Sequence, residues 1–88
     1  MDDLRKKAYK LGATEFGVSN RKDKRFYVVY NNKKINFGSK TGMAYIDHHD
    51  ELKRKNWKAR HSQIKNKDGV PFYKIPESPE YWSYRINW

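Results

Sequence analysis

The sequence contains no cysteine. That excludes a disulfide scaffold and a cysteine-based zinc site, and it suits a reducing compartment. No apolar run approaches the roughly 18 residues that a membrane-spanning helix needs. The start, Met1-Asp2-Asp3-Leu4-Arg5, lacks the apolar stretch of a signal peptide. The expectation is an intracellular protein, in cytoplasm or nucleus, that does not enter membranes. Glycine-rich phosphate loops and dinucleotide fingerprints are missing, and so is any Ser/His/Asp arrangement. Acidic side chains are few, 10 against 20 Lys and Arg. An enzyme is therefore not expected, and neither is a cofactor, a metal or a small-molecule substrate.

What is abundant is positive charge and aromatic surface. The formal charge is +10, and 16% of the residues are Phe, Tyr or Trp. A chain of 88 residues is expected to form one domain over 1–88. A domain this small buries only about 60% of its unfolded surface. Each aromatic side chain can bury roughly 150–250 Å², so a few of them replace many aliphatics. The net charge is +2 over residues 1–12, +5 over 13–46, +4 over 47–67 and −1 over 68–88. The cations lie in the middle and the last quarter is neutral and aromatic, which suggests a binding surface and a separate packing element.

Residues 1–12 read as a short helix. Asp2 and Asp3 sit at its positive end, Leu4, Ala8 and Leu11 share one face, and Gly12 is a stop. Arg25-Phe26-Tyr27-Val28-Val29-Tyr30, Asn31-Asn32 and Lys33-Lys34-Ile35-Asn36-Phe37-Gly38 read as a hairpin, because Asn tolerates the positive φ of a two-residue turn. That loop opposes Tyr30 to Lys33, Val28 to Ile35 and Phe26 to Phe37. Phe26, Val28, Ile35 and Phe37 then share one face and Tyr27, Val29, Lys34 and Asn36 the other, and turn and alternation agree. Glu15-Phe16-Gly17-Val18-Ser19 precedes it as a third strand, with the charged turn Asn20–Lys24 between.

Asp47 is expected to cap a helix over residues 48–60, in which Leu52, Asn56 and Ala59 form a thin apolar edge joined by Trp57. Asn66–Gly69 reads as a turn, and Val70–Pro76 as extended because two prolines bar helix and central strand. Ser78 and Pro79 start a last short helix. The fold class is α+β: a small antiparallel sheet of about three strands packed with one central helix, a short N-terminal helix and an aromatic C-terminal segment. Within the single domain these are residues 1–12, then 15–60 for the sheet and basic helix, then 61–88.

The basic helix, with Lys53, Arg54, Lys55 and Lys58, is one candidate contact for phosphates; a solvated helix face is the alternative. The hairpin is a second, where Lys33, Lys34 and Lys40 bind phosphate and Asn36 reads base edges; an exposed polar sheet face is its alternative. Arg21, Lys22, Lys24 and Arg25 form a turn suited to backbone phosphates. Asp47-His48-His49-Asp50 invites a metal reading, but adjacent side chains on a helix point about 100° apart and rarely hold one ion together. Trp57, Tyr81, Trp82, Tyr84 and Trp88 have the chemistry to stack on single-stranded bases. Their place in or beside the segment of net charge −1 favours core packing, above all for Trp82 and Trp88.

Three stretches, Phe26–Tyr30 through Ile35–Lys40, then Arg60-His61-Ser62, then Ser78–Tyr84 ending in Trp88, together resemble short basic proteins of uncharacterised function from nucleocytoplasmic large double-stranded DNA viruses. The resemblance implies a viral protein that is packaged in the virion. It supplies no catalytic residue. The order of three strands and a helix over 15–60 is also loosely similar to the AP2-type DNA-binding domain of plants, in which the sheet meets DNA and the helix supports it. The expected function is non-enzymatic binding of nucleic acid, duplex DNA above all, through the basic surface. The alternative is a virion structural or minor capsid protein that binds acidic surfaces of other virion proteins.

Overall fold

The computed structural model describes residues 2–88. Helix α1, Asp2–Lys10, begins with its two aspartates at the N-terminal end. Ala8 is fully buried, and Leu4 and Leu11 pack against the core. Gly12 at φ 107° ends the helix. The Ala13 N–H donates to the Ala8 carbonyl and the Gly12 N–H to that of Tyr9, the paired bonds of a Schellman stop.

Strands β1 (Glu15–Val18), β2 (Lys24–Tyr30) and β3 (Lys33–Ser39) form an antiparallel meander in the order β1-β2-β3. Asn31 and Asn32 both have positive φ, 53° and 65°, as a type I′ turn requires. The register opposes Tyr30 to Lys33, Val28 to Ile35 and Phe26 to Phe37, and Phe16 to Val28. The centre of one face is therefore apolar, with Phe16, Phe26, Val28, Ile35 and Phe37 buried. Burying that face drives sheet formation, because roughly 25 cal/mol is gained per Å² of apolar surface removed from water.

The layer on that face comes from the two ends of the chain. Ala8 of α1 closes one side. Helix α4 (Pro79–Trp82) and a π-helical turn (Ser83–Asn87) close the other. Ser78 accepts from the Glu80 N–H and Pro79 stands at the first turn, as the sequence predicts. Trp82 is fully buried, its ring 6.5 Å from Phe37 and 5.6 Å from Tyr30. Its indole N–H donates to the Pro76 carbonyl at 2.7 Å, so the polar atom is not left dry. Trp88, also expected in the core, is only partly buried. It lies on Trp57 and His48 instead.

The single helix expected over 48–60 with Asp47 as its cap is two helices. Helix α2 spans Tyr45–His48 and α3 spans Glu51–His61, separated where His49 turns left-handed at φ 54°. Asp50 caps α3, accepting from the N–H groups of Leu52 and Lys53. Asp47 is held elsewhere: the Arg25 guanidinium donates to both its oxygens at 2.5 and 2.6 Å, and the Ala44 N–H donates to it at 2.8 Å. A bidentate arginine outcompetes a cap.

Between the two prolines the chain is not extended throughout. It forms a bridge at Pro71, then a 3₁₀ turn over Phe72–Lys74. Prolines bar α-helix interiors and central strands, but a three-residue turn beginning after Pro71 needs no proline N–H. Among the described residues no helix is long and apolar enough to cross a membrane.

Candidate nucleic-acid interface

Helix α3 carries no buried residue. Leu52, expected on its inward edge, is 67% exposed, and Asn56 and Ala59 also face outward. The partly buried positions are Arg54, Trp57, Lys58 and His61, which recur at i, i+3, i+4 and i+7 and share one face. That face turns toward the C-terminal aromatics. Trp57 stacks on His61 at 3.9 Å and on Trp88 at 4.8 Å between ring centres. The Arg54 Nε–H donates to the Trp88 carbonyl at 3.0 Å, and its guanidinium lies 4.7 Å from the Tyr45 ring. Lys58 holds its ammonium 4.7 Å from the ring of Tyr84, which stacks on Tyr73 at 4.6 Å. His61 pairs with Glu80.

This seam gathers cations from three parts of the chain. Lys58 lies below the ordinary lysine pKa, first because it is partly desolvated and then because Arg54, Lys7 and Arg85 repel its charge. Arg85 is fixed by the Tyr73 and Tyr81 carbonyls and lies 3.7 Å from the Tyr81 ring. Lys7 and Arg85 were not among the sequence candidates. Glu51, which pairs with Arg54 at 3.6 Å, offsets part of the repulsion at Lys58.

The other candidates fall into separate places. Arg21 and Lys22 are exposed in the β1–β2 turn, and Arg21 approaches Asp23 at 3.8 Å. Lys24 faces Ser39 across the ladder, and Lys40 follows β3, so these four cations gather at one end of the sheet. Arg25, expected to hold phosphate with them, is taken by Asp47. This pair raises the Arg25 pKa and holds the Asp47 carboxyl at about 2. Lys33 lies at the opposite end and pairs with Glu77. Lys34 is exposed on the open face of the sheet, its ammonium 4.5 Å from the Tyr27 ring. The Tyr27 hydroxyl donates to Glu15, which raises its pKa. Asn36 is on the same face, and its carbonyl oxygen accepts from the Ser19 hydroxyl at 2.6 Å, which leaves its amide N–H groups and one lone pair for a base edge. Lys53 and Lys55 are exposed on α3. Of the eleven candidate cations, Lys22, Lys24, Lys34, Lys40, Lys53, Lys55 and Lys58 make no ion pair among the described residues.

Two depressions flank α3. A cleft of about 590 Å³ is lined by Lys24, Trp57, Arg60, His61, Asn87 and Trp88 among others. An adjoining groove of about 300 Å³ is lined by His48, Lys53 and Asn56 and shares Trp57, Arg60 and Trp88 with the cleft. Among the described residues no three His, Asp or Glu side chains converge to hold a metal.

Fold and surface together define a small basic α+β protein whose cations and aromatics meet along one helix. The chain belongs to a family of unknown function, DUF5754, whose model matches residues 14–61, more than half of its length. The match takes in the sheet, α2 and α3, and leaves α1 and the C-terminal aromatic segment outside it. No curated protein and no solved structure matches the chain.

Proposed function

We propose that this protein binds nucleic acid without catalysing a reaction, and that it holds duplex DNA through the phosphates. In the setting its viral resemblance implies, the DNA is the viral genome and the site of action is host cytoplasm, nucleus or virion. The observation that carries the reading is a basic seam along α3: Arg54 lies on the Tyr45 ring, Lys58 and Arg85 share the Tyr84 ring, and Lys58 is partly desolvated. A polyanion removes the repulsion that Lys58 feels while releasing its own counterions. Helix α3 supports it further, since its outward faces carry Lys53, Lys55 and Arg60 and bury nothing.

Anisotropy of a labelled duplex across a salt series tests this. Log affinity should fall steeply with log salt, by about 0.9 per phosphate contacted. Lys58→Ala and Lys55→Ala should each lower the slope by about one, on all sequences alike. Asn36→Ala should cost about 1–3 kcal/mol on preferred sites only if that side chain reads bases. A salt-independent affinity, or no change when Lys53, Lys55 and Lys58 are replaced together in a folded protein, would move the assignment to the structural role, with acidic virion proteins as partners.

A further inference from the structure

Seven of the 11 residues of α3 are exposed. The four partly buried ones, Arg54, Trp57, Lys58 and His61, occupy one side, so the opposite side stands clear of the rest of the protein. Successive residues of a helix are turned by about 100°. Leu52, Asn56 and Ala59 therefore run along the crest of the exposed side, within about 60° of one another. Lys55 flanks this crest on one side, and Lys53 and Arg60 on the other, each about 70–90° from it. None of these three cations makes an ion pair among the described residues. The one acid in α3, Glu51, turns to Arg54 and Tyr45 instead. Asn56 is free as well, since the side-chain hydrogen bonds of α3 are made by Glu51, Arg54 and His61.

We infer that α3 lies in the major groove of duplex DNA and that Asn56 reads an adenine there. The inference rests on the nucleic-acid reading above and names the element and the residue that make it sequence-selective. A helix with its side chains is about 10–12 Å across. The major groove is about 12 Å wide, with a phosphate chain on either rim. Cations on both flanks of one crest match the two rims, and a neutral crest matches the floor. The Asn56 amide pairs with adenine, its N–H donating to N7 and its carbonyl accepting from the N6 amino group. Leu52 and Ala59 offer apolar contact to thymine methyl groups. Asn56 and Ala59 stand about 4.5 Å apart along the axis, close to one base step of about 3.4 Å. The open face of the sheet suits a groove less well. Glu15 lies on it, held by the Tyr27 hydroxyl, and Asn36 is engaged by Ser19. An acidic peptide would occupy one flank of α3 at a time, whereas a groove presents both rims together.

The test selects binding sites for the full chain from a pool of random duplexes. Anisotropy then compares a selected duplex with a scrambled one. The selected sites should share an adenine with a neighbouring thymine. Asn56→Ala truncates an exposed side chain and favours the helix, so the fold is kept, which circular dichroism checks. It should weaken binding to the selected duplex about tenfold, with the scrambled duplex and the salt slope unchanged. Placing 7-deazaadenine at the shared position removes N7. It should weaken the unmodified protein severalfold and Asn56→Ala not at all. Duplex binding without any enriched sequence overturns the inference and leaves the proposed function standing. Equal weakening of both duplexes by Asn56→Ala does the same. A preference that Asn36→Ala abolishes and Asn56→Ala does not would overturn it in favour of the sheet. Absence of duplex binding overturns both readings, and binding of polyglutamate in its place assigns the cations to an acidic protein.

Discussion

Replacing Trp82 by alanine should come close to unfolding the protein. The side chain is fully buried and sits where the C-terminal segment meets the sheet, against Tyr30, Phe37 and Tyr81. Truncating a core Trp typically costs about 3–5 kcal/mol. The Pro76 carbonyl, which accepts the indole N–H, would lose its partner at a further cost of about 1 kcal/mol. A chain of this length has about 4–13 kcal/mol to lose. With a urea dependence of about 1 kcal/mol per molar, the midpoint should fall by about 4–6 M. Urea melts followed by far-ultraviolet circular dichroism measure this. Trp82→Phe keeps a ring on Phe37 and Tyr30 but orphans Pro76, and should cost about 1–2 kcal/mol. Trp88→Ala removes a partly buried ring stacked on Trp57 and should cost about the same. If Trp82→Ala lost less than about 1.5 kcal/mol, or no more than Trp88→Ala, the C-terminal segment would not be the layer that completes the core.

Asp50→Ala removes the cap of α3 and should lower stability by about 1 kcal/mol, read in the same melts. The Asp47 carboxyl, held at about 2 against the ordinary 3.8 by Arg25, contributes stability that is fully present above 3.8 and lost as pH falls through about 2. The shift corresponds to at most about 2 kcal/mol, which solvent at this partly open pair reduces to about 1 kcal/mol. Asp47→Asn should therefore flatten the acid limb of a stability-against-pH curve, and an unchanged limb would refute the pairing. Gly38 and Gly69 share a φ of 81°, but a Cβ at Gly38 would collide with Asn87 and approach the Arg25 Cβ at 3.3 Å, whereas at Gly69 it meets nothing. Gly69→Ala should cost about 1 kcal/mol and Gly38→Ala about 2 or more; equal losses would mean that the Asn87 contact is not rigid.

The parts of the fold that could be read from sequence were decided locally. Asn31-Asn32 prescribes a turn whose two-residue length sets the register, and the apolar alternation on either side leaves one choice of face. Leu4, Ala8 and Leu11 before Gly12 are legible in the same way, as are Ser78 and Pro79. The break at His49 was not. Asp47 and Asp50 are equally good caps by residue type, and the choice between them was made by Arg25, 22 residues away in sequence. A cap is worth about 1 kcal/mol, so a bidentate arginine is enough to divert one candidate and leave the helix to start at the other.

The meeting of cations and aromatics was not legible for a related reason. Charge counted along the chain places the C-terminal aromatics in a segment of net −1 and so separates them from the cations. The fold removes that separation. The Ser83–Asn87 turn and Trp88 return against α3, bringing Tyr84 to Lys58 and the Trp88 carbonyl to Arg54. One signal was present in the sequence: Arg54, Trp57, Lys58 and His61 recur at i, i+3, i+4 and i+7. A helix seeking its inward face among apolar residues alone points to Leu52, Asn56 and Ala59, which leave α3 nothing to bury. When aromatic rings and the alkyl stems of Lys and Arg count as packing surface, the mixed stripe becomes the inward face. The cations are then drawn to the aromatics because they pack on them, and an anionic partner that reaches the charge also meets the rings.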